Sequence, residues 1–438
     1  MSDLGLLGIA LAATLAGALL ALLPGLHVYN IAALSVLLAA REMLPLSGEA
    51  IAMVLIGLLI GWTVVNVIPA VFLFAPDDAN AWVVTPATKL LLRGQGVLAT
   101  QLVGAGSIGA LVVLAVLSPI LDELLRPIRA IVQPHLGWML VAISGFLVLS
   151  EWPRGENRAQ SATGRLLLAW GYLGAGLLTF TLSGLLGFVL MYRSPVPQDA
   201  AYASLLPAFV GLFGVPGLLQ VLLFGTRPPQ QQRTPLEIAP FALLRGTLTG
   251  VAGGLFAGFL PAISGGIGGL LAGHATAQWD EKLFLISQGA SKTAYYAGSL
   301  LLLFVPGLGL TRGGMASMLS SLYVPYGWHM YSLAVAAVAF GGVAAFGALQ
   351  LLSSLAARIT TRTDTRLVAS VALVLAAGVT LSFSGISGLL VMAIACCIGL
   401  IPILIGGRRM DCLGVLLVPM TLNFIGAGPV VAHWLGLL

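Results

Sequence analysis

Apolar segments long enough to cross a bilayer recur from one end of the chain to the other. They read approximately as 4–40, 51–75, 95–121, 131–150, 163–191, 200–224, 238–272, 283–305, 330–357, 367–384, 387–405 and 412–436. A bilayer core of about 30 Å asks for roughly 20 apolar residues per helix. Backbone N–H and C=O groups cannot be left unpaired there, so only helices and closed barrels span it. The runs are continuous rather than alternating, which excludes a β-barrel. The expected fold is all-α: a polytopic membrane protein with about 10–14 membrane segments. Only 8% of the residues are charged, where soluble domains carry about 25%.

Several functions fall away at once. No loop exceeds about 25 residues on this segment reading, so no soluble catalytic or nucleotide-binding domain is expected. No G-x-x-x-x-G-K-[ST] motif occurs. The net charge of +5 sits in loops flanking the apolar runs, without interleaved aromatics, so nucleic acid is not an expected partner; the lipid bilayer is. Cys396, Cys397 and Cys412 lie in or beside apolar runs without metal-like spacing, so no metal and no cofactor are expected. There is no Ser/His/Asp or HExxH constellation, so the chain does not read as an enzyme. The first segment lacks a basic n-region and an A-x-A site, so it does not read as a cleavable signal peptide.

The segments carry internal order. "TRPPQQQRTPLE", residues 226–237, is the most polar and proline-rich stretch. It divides the chain into a first membrane repeat, 1–225, and a second, 238–438. Each half opens with a long apolar segment broken by a proline: "ALLPGLHVYNIAAL" around Pro24 and "GFLPAISGGIGGLL" around Pro261. Each continues with a segment that ends at a proline, Pro76 or Pro306. Paired interrupted segments in corresponding positions point to the binding site of a transporter.

Lys and Arg in the loops set orientation. They alternate badly if every segment crosses once. They sort well if each broken opening segment is a re-entrant hairpin that returns to its own side. Lys89, Arg93, Arg154, Arg158, Arg165, Arg227, Arg233, Arg245, Lys282, Arg358, Arg362, Arg366, Arg408 and Arg409 then face the cytoplasm. Arg41, Arg126, Arg129, Arg193 and Arg312 face outward. Five single crossings separate the hairpins, so the two repeats have inverted topology.

The breaks supply the candidate site. A helix restarting after Pro261 points free N–H groups and the positive end of its dipole at the gap. Gly265 and Gly266 admit a ligand close to the backbone, and Ser264 can cap or donate; a plain kink with close glycine packing is the alternative. "ISQGASKTAYY", 286–296, is the most polar intramembrane stretch. Lys292 lies about ten residues into its segment, too deep for easy snorkelling, and buried charge is costly enough to imply function. Ser287, Gln288, Ser291 and Thr293 are candidate lining donors. Tyr295 and Tyr296 suit either the lining or an interface. In the first half Asn66 suits a pocket or a helix–helix hydrogen bond. Asp77 and Asp78, before Asn80, suit ion coupling or the capping of a short helix. Beside Pro24 and Gly25, His27 and Asn30 are candidates to bind an anion, and His27 to relay a proton. The remaining histidines, His135, His274, His329 and His433, sit at segment edges or in loops.

"AGALLALLPGLHVYNIAALSVLLAA" resembles the G-x-x-x-G-x-x-P-G-x opening of the TctA family, the large membrane subunit of tripartite tricarboxylate transporters, and its shorter archaeal-type members above all. "APDDANAWVVTPATKLLLRGQG" and "GGRRMDCLGVLLVPMTLNF" are also similar. One departure is Pro261-Ala262 where the family has Pro-Gly. The resemblance implies ion-driven uptake of carboxylates, with a small membrane subunit and an extracytoplasmic binding protein as partners. "PAISGGIGG" looks like the P-G-x-S-G-G motif of the DUF368 family, which implies instead translocation of a polyprenyl-phosphate lipid carrier. The leading expectation is a secondary transporter for an organic anion in the cytoplasmic membrane of a prokaryote. It works by alternating access, with Na+ or H+ as coupling ion. A homodimer is one arrangement open to it.

Overall fold

A computed structural model describes residues 1–24, 26–43, 46–152, 161–196, 204–225, 228–232, 235–278 and 280–438. Gly25 and the basic residues Arg154, Arg158, Arg227 and Arg233 lie outside the described residues, as does part of the 226–237 linker. Among the described residues the secondary structure is helical, with no strand. Among the described residues nine helices are long and apolar enough to cross a membrane, or ten if the bent pair Arg409–Phe424 and Gly428–Trp434 forms one span. The chain is an all-α polytopic membrane protein. In chain order its framing helices are α1 (Asp3–Leu20), α2 (Val28–Ala40), α3 (Gly48–Val65), α4 (Gly96–Leu117), α5 (Leu136–Leu149) and α6 (Ala162–Tyr192). They continue with α7 (Pro240–Phe259), α8 (Gly265–Ala275), α9 (Glu281–Phe304), α10 (Gly327–Arg362), α11 (Thr365–Ile405) and α12 (Gly414–Phe424).

The chain divides into two compact units. The first combines residues 1–130 with 217–376, and the second 131–216 with 377–438.

In the first unit, glycine seams set the helix directions. A methyl on Gly57 would strike the Ala10 carbonyl, one on Gly61 the Thr14 carbonyl, and one on Gly17 the Leu58 carbonyl. Partners advance together along both helices, so α1 and α3 run parallel. Small residues let backbones approach this closely, and dispersion rather than hydrophobic transfer holds them in lipid. The chain must therefore travel back between them. The 13 residues of α2 provide about 20 Å of that return. The second half repeats the plan. Gly246 abuts Leu283 and Ile286, Gly250 abuts Ser287 and Ala290, and Gly254 abuts Ser291 and Ala294, so α7 and α9 run parallel. Between them α8 folds back along α7, with Gly268 against Gly253 and Ala257, and Gly253 against Ala272. The second break is a helical hairpin.

The two sets point in opposite directions. Gln101 bonds Gln350 at 2.7 Å, Gly104 abuts Phe346, Gly342 abuts Leu111, and the Tyr331 hydroxyl donates to the Ser118 carbonyl at 2.7 Å. One index rises as the other falls, so α4 and α10 are antiparallel. His329 meets Asp3 at 3.1 Å and Gly341 abuts Thr14, so α10 runs with α1. The Ser107 hydroxyl donates to the Gly289 carbonyl at 3.2 Å, and Gly298 faces Leu114, so α4 runs with α9. Hence α1, α3 and α10 run one way and α4, α7 and α9 the other. Taken in chain order, α1, α3 and α4 therefore run opposite to α7, α9 and α10 respectively.

Capping fixes several helix starts. Ser2, Ser47 and Asp280 each accept a backbone N–H in the first turn of α1, α3 and α9. In the second unit α6 and α12 are antiparallel, with Gly184 against Val418 and Gly187 against Val415. The two segments 367–384 and 387–405 are two helices that meet within α11 at a kink at Gly385, whose non-helical φ of 64° and ψ of −164° suit glycine alone.

Candidate functional site

The first unit gathers its polar groups around the middle of α9. This helix lacks the apolarity of the spanning helices, and its interior side chains are buried from Leu283 to Phe304 with few exceptions. Lys292 is 0% exposed. Its ammonium donates to Asn66 Oδ1 at 2.6 Å and to Asn80 Oδ1 at 3.1 Å. Asn66 Nδ2 donates to Asp77 Oδ2 at 2.8 Å, and Asn80 Nδ2 to Asn66 Oδ1 at 3.0 Å. Asp77 Oδ1 accepts the Asn80 backbone N–H at 2.8 Å, closing the 77–80 turn. The carboxylate both caps that turn and balances the ammonium through the two amides. Such a buried pair is tolerated because every polar arm has a partner.

Both breaks reach this stretch of α9. At the second, Ser291 donates to the Gly265 carbonyl at 2.6 Å. A Cβ on Gly265 would lie 2.7 Å from Lys292 Cα, and one on Gly266 would lie 2.6 Å from the Ala79 carbonyl. The start of α8 is thus wedged between α9 and the 77–82 turn, and only glycine fits there. With its amide oriented to satisfy both neighbours, Gln288 donates to the Gly266 carbonyl at 3.3 Å and accepts from Leu270 N–H at 3.2 Å. Ser264 stands at the N-cap of α8, yet its hydroxyl makes no capping bond. The buried hydroxyls of Ser264, Ser287 and Thr293 have no hydrogen-bond partner among the described residues.

At the first break Trp62 Nε1 donates to the Leu26 carbonyl at 3.0 Å, tying the tip to α3. His27 caps α2: its Nδ1 accepts the Tyr29 N–H at 3.2 Å. The other nitrogen, Nε2, therefore carries the proton in the neutral ring. It stands 3.1 Å from the Tyr296 hydroxyl and 3.9 Å from Asp78 Oδ1. Trp62, Tyr29 and Tyr296 surround the imidazole, with ring centroids 4.5, 4.5 and 5.9 Å away. Lys292 and Tyr296 are four residues apart, on one face of α9. One helical stripe thus meets both breaks.

His27, Asp77 and Asp78 each offer a ligand atom within 4.8 Å of the others, close enough for one cation. The tautomer argues against His27 as a ligand: Nε2 would have to lose its proton while Nδ1 accepts from the backbone. The arrangement suits a proton held among Asp78, His27 and Tyr296 better than a three-ligand ion.

Of the residues singled out from sequence, the structure brings together His27, Asn66, Asp77, Asp78, Ser264, Gly265, Gly266, Gln288, Ser291 and Lys292. Pro24 is buried in the first turn and Pro261 lies in the second, where they shape the tips. Asn30 is buried in the first turn of α2, and its backbone N–H bonds the His27 carbonyl. Ser287 and Thr293 are buried on α9 with unpaired hydroxyls, and Gly25 lies outside the described residues. Of the two settings open to the tyrosines, the lining is the one realised, at least for Tyr296 beside His27. Sequence reasoning passed over Asn80 and Trp62. The fourteen-residue step from Asn66 to Asn80 across a proline turn has no periodic signature.

Comparison with known proteins now bears on this geometry. The tripartite tricarboxylate transporter TctA family matches residues 7–414, nearly the whole chain. The chain belongs to the TctA family. This TctA-family chain is also 30% identical over 311 residues to an uncharacterized protein of Methanocaldococcus jannaschii, a match covering 70% of each chain. No solved structure matches it. The family is one of transporters rather than enzymes, and its members are components of multi-part systems. The chain is therefore a tricarboxylate-transporter component and a multi-pass membrane protein.

Proposed function

We propose that the chain forms the transport path of a secondary transporter for an organic anion of the di- or tricarboxylate class. The observation that carries this reading is the meeting of two inverted, helix-breaking hairpins on one buried stripe of α9, Ser291 to Tyr296. The anion is held at the start of α8, by its free N–H groups and the Ser264 hydroxyl. Lys292, engaged by Asn66 and Asn80, lends positive charge from behind rather than as a bare hook. Alternating access moves one part of the protein about this site. The coupling ion is a proton, carried at Asp78 and His27; Asp77 is committed to Asn66 and Asn80.

The repeats are 1–225 and 238–438, joined by 226–237. Their support is the opposed direction of α1–α4 and α7–α10, together with the fact that each unit draws one piece from each half. Lys89, Arg93, Arg245, Lys282, Arg358, Arg362 and Arg366 flank the first-unit helix ends on one side, and Arg41, Arg126, Arg129 and Arg312 those on the other. The richer side faces the cytoplasm. A small membrane subunit and an extracytoplasmic binding protein complete the system in a prokaryotic cytoplasmic membrane.

The test is a proteoliposome assay with the purified chain, with and without such partners. Labelled citrate and succinate are offered under an inward proton gradient, with a labelled short-chain polyprenyl phosphate as the lipid arm. Carboxylate uptake that falls at least tenfold in Ser264→Ala and Lys292→Ala is the expected result. Unchanged uptake in both variants, or movement of the lipid phosphate alone, would overturn the reading.

A further inference from the structure

The second unit holds a buried acidic pair that the site above does not use. Glu151 follows α5, and Asp411 lies in the 3-10 turn Arg409–Leu413 that precedes α12. They are 7% and 1% exposed. Both press on one point of α6: a Cβ on Gly176 would lie 2.8 Å from Asp411 Oδ2 and 2.8 Å from Glu151 Cγ. Gly176 is near the midpoint of the 31-residue α6, so the pair lies at the depth of the apolar run and not at its end. Glu151 Oε1 accepts the Arg408 N–H at 3.1 Å, and Arg408 Nη1 donates to the Ser150 hydroxyl at 3.1 Å. The Asp411 backbone is fixed by Ser183, whose hydroxyl donates to the Asp411 carbonyl at 3.1 Å. The Asp411 carboxyl itself is different. Neither of its oxygens has a hydrogen-bond partner among the described residues.

An ionised carboxylate with no partner in a buried setting is among the costliest arrangements a protein can hold. Two adjacent carboxylates cannot both ionise cheaply; one proton between them relieves both costs. Among the described residues, the other charged or titratable groups around the pair come from one segment: Arg408, Arg409 and Cys412. Tyr172 approaches Gly406 from α6. The packed turn 210–214 contributes none. An arginine beside the pair also makes the pocket a poor seat for a second cation.

We propose that Glu151 and Asp411 form a proton-binding carboxyl pair in the second unit, separate from the anion site of the first. One proton is shared between the two groups, received from hydronium and given back to water when the pocket is wetted. The sign of the pH dependence follows. A carboxyl that binds its proton more tightly when folded favours the native state most below the ordinary carboxylate range. That contribution is lost as pH rises through the folded value.

Infrared difference spectroscopy on the full chain in lipid nanodiscs tests this. Wild type is expected to show a protonated-carboxyl C=O band at neutral pH, where solvated carboxyls are ionised. Asp411→Asn is expected to remove the component of that band that persists in Asp78→Asn, so that the double variant shows none. Glu151→Gln, the second variant should the first not fold, is expected to shift or remove it and to flatten the fall of Tm with rising pH. An identical band and an identical Tm slope in wild type and the folded variants would overturn the proposal. So would a wild type with no such band, or one whose pair is ionised and answers to sodium instead. Carboxylate-uptake assays on Ser264→Ala do not enter this readout, so the two readings stand or fall apart.

Discussion

Lys292 and Ala262 show how much single positions carry. Replacing Lys292 by Met should leave the half-buried Asp77 carboxylate without its nearby cation and Asn66 and Asn80 without their donor, at a cost of about 1–3 kcal/mol. Lys292→Met with Asp77→Asn should recover much of that, because both charges are gone. A double-mutant cycle of thermal unfolding in detergent checks it, and simple additivity would show that the two charges do not communicate. Ala262 is held at φ 60°, in the left-handed region that favours glycine. The family's Pro-Gly at this place now has a physical reason. Ala262→Gly should stabilise the protein by about 1 kcal/mol, read as a rise in Tm; a fall would mean the strain is absent. The depth of Lys292 was legible in the sequence, since a charge ten residues into an apolar run has nowhere to go. Its partners were not. Asn80 reaches it, and Asp77 acts on it through Asn66, only because a tight turn closes at 77–80, and a turn's direction is set by tertiary packing.

At the scale of elements, the hairpin of α7 and α8 depends on a seam of small residues. Gly268→Val should drive a branched side chain into the Gly253 carbonyl and prise the arm away. The expected result is a loss of stability of about 3 kcal/mol or more. Limited proteolysis should then open the 260–264 turn in the variant and leave wild type intact; equal cleavage would refute the seam. The prolines pointed to both interruptions in advance, because proline removes a backbone hydrogen bond and favours a break; proline alone does not decide it, since α11 and α12 keep Pro402 and Pro419 inside. The return of α2 was readable only indirectly, from loop charges. Its physical proof is the parallel packing of α1 on α3, which no local pattern encodes. The pair of Glu151 and Asp411 was invisible for another reason: each residue adjoins an arginine-bearing loop and reads as solvated surface.

At the scale of the whole molecule, inversion makes a claim about sides. Single cysteines at Arg41 and at Arg245 should label from opposite faces of the membrane with an impermeant maleimide. Labelling from the same face would refute the inverted arrangement. The interleaving of the two units also has a consequence in time. Residues 1–130 cannot finish their unit until 217–376 exist, and 131–216 must wait for 377–438. Asn66 and Lys292 are 226 residues apart. At about 5–20 residues per second, a ribosome leaves Asn66, Asp77 and Asp78 without their cation for about 10–45 s. For that interval the nascent first half carries unmatched acid at bilayer depth. Its insertion machinery must shelter those groups, or keep them wet, until α9 emerges.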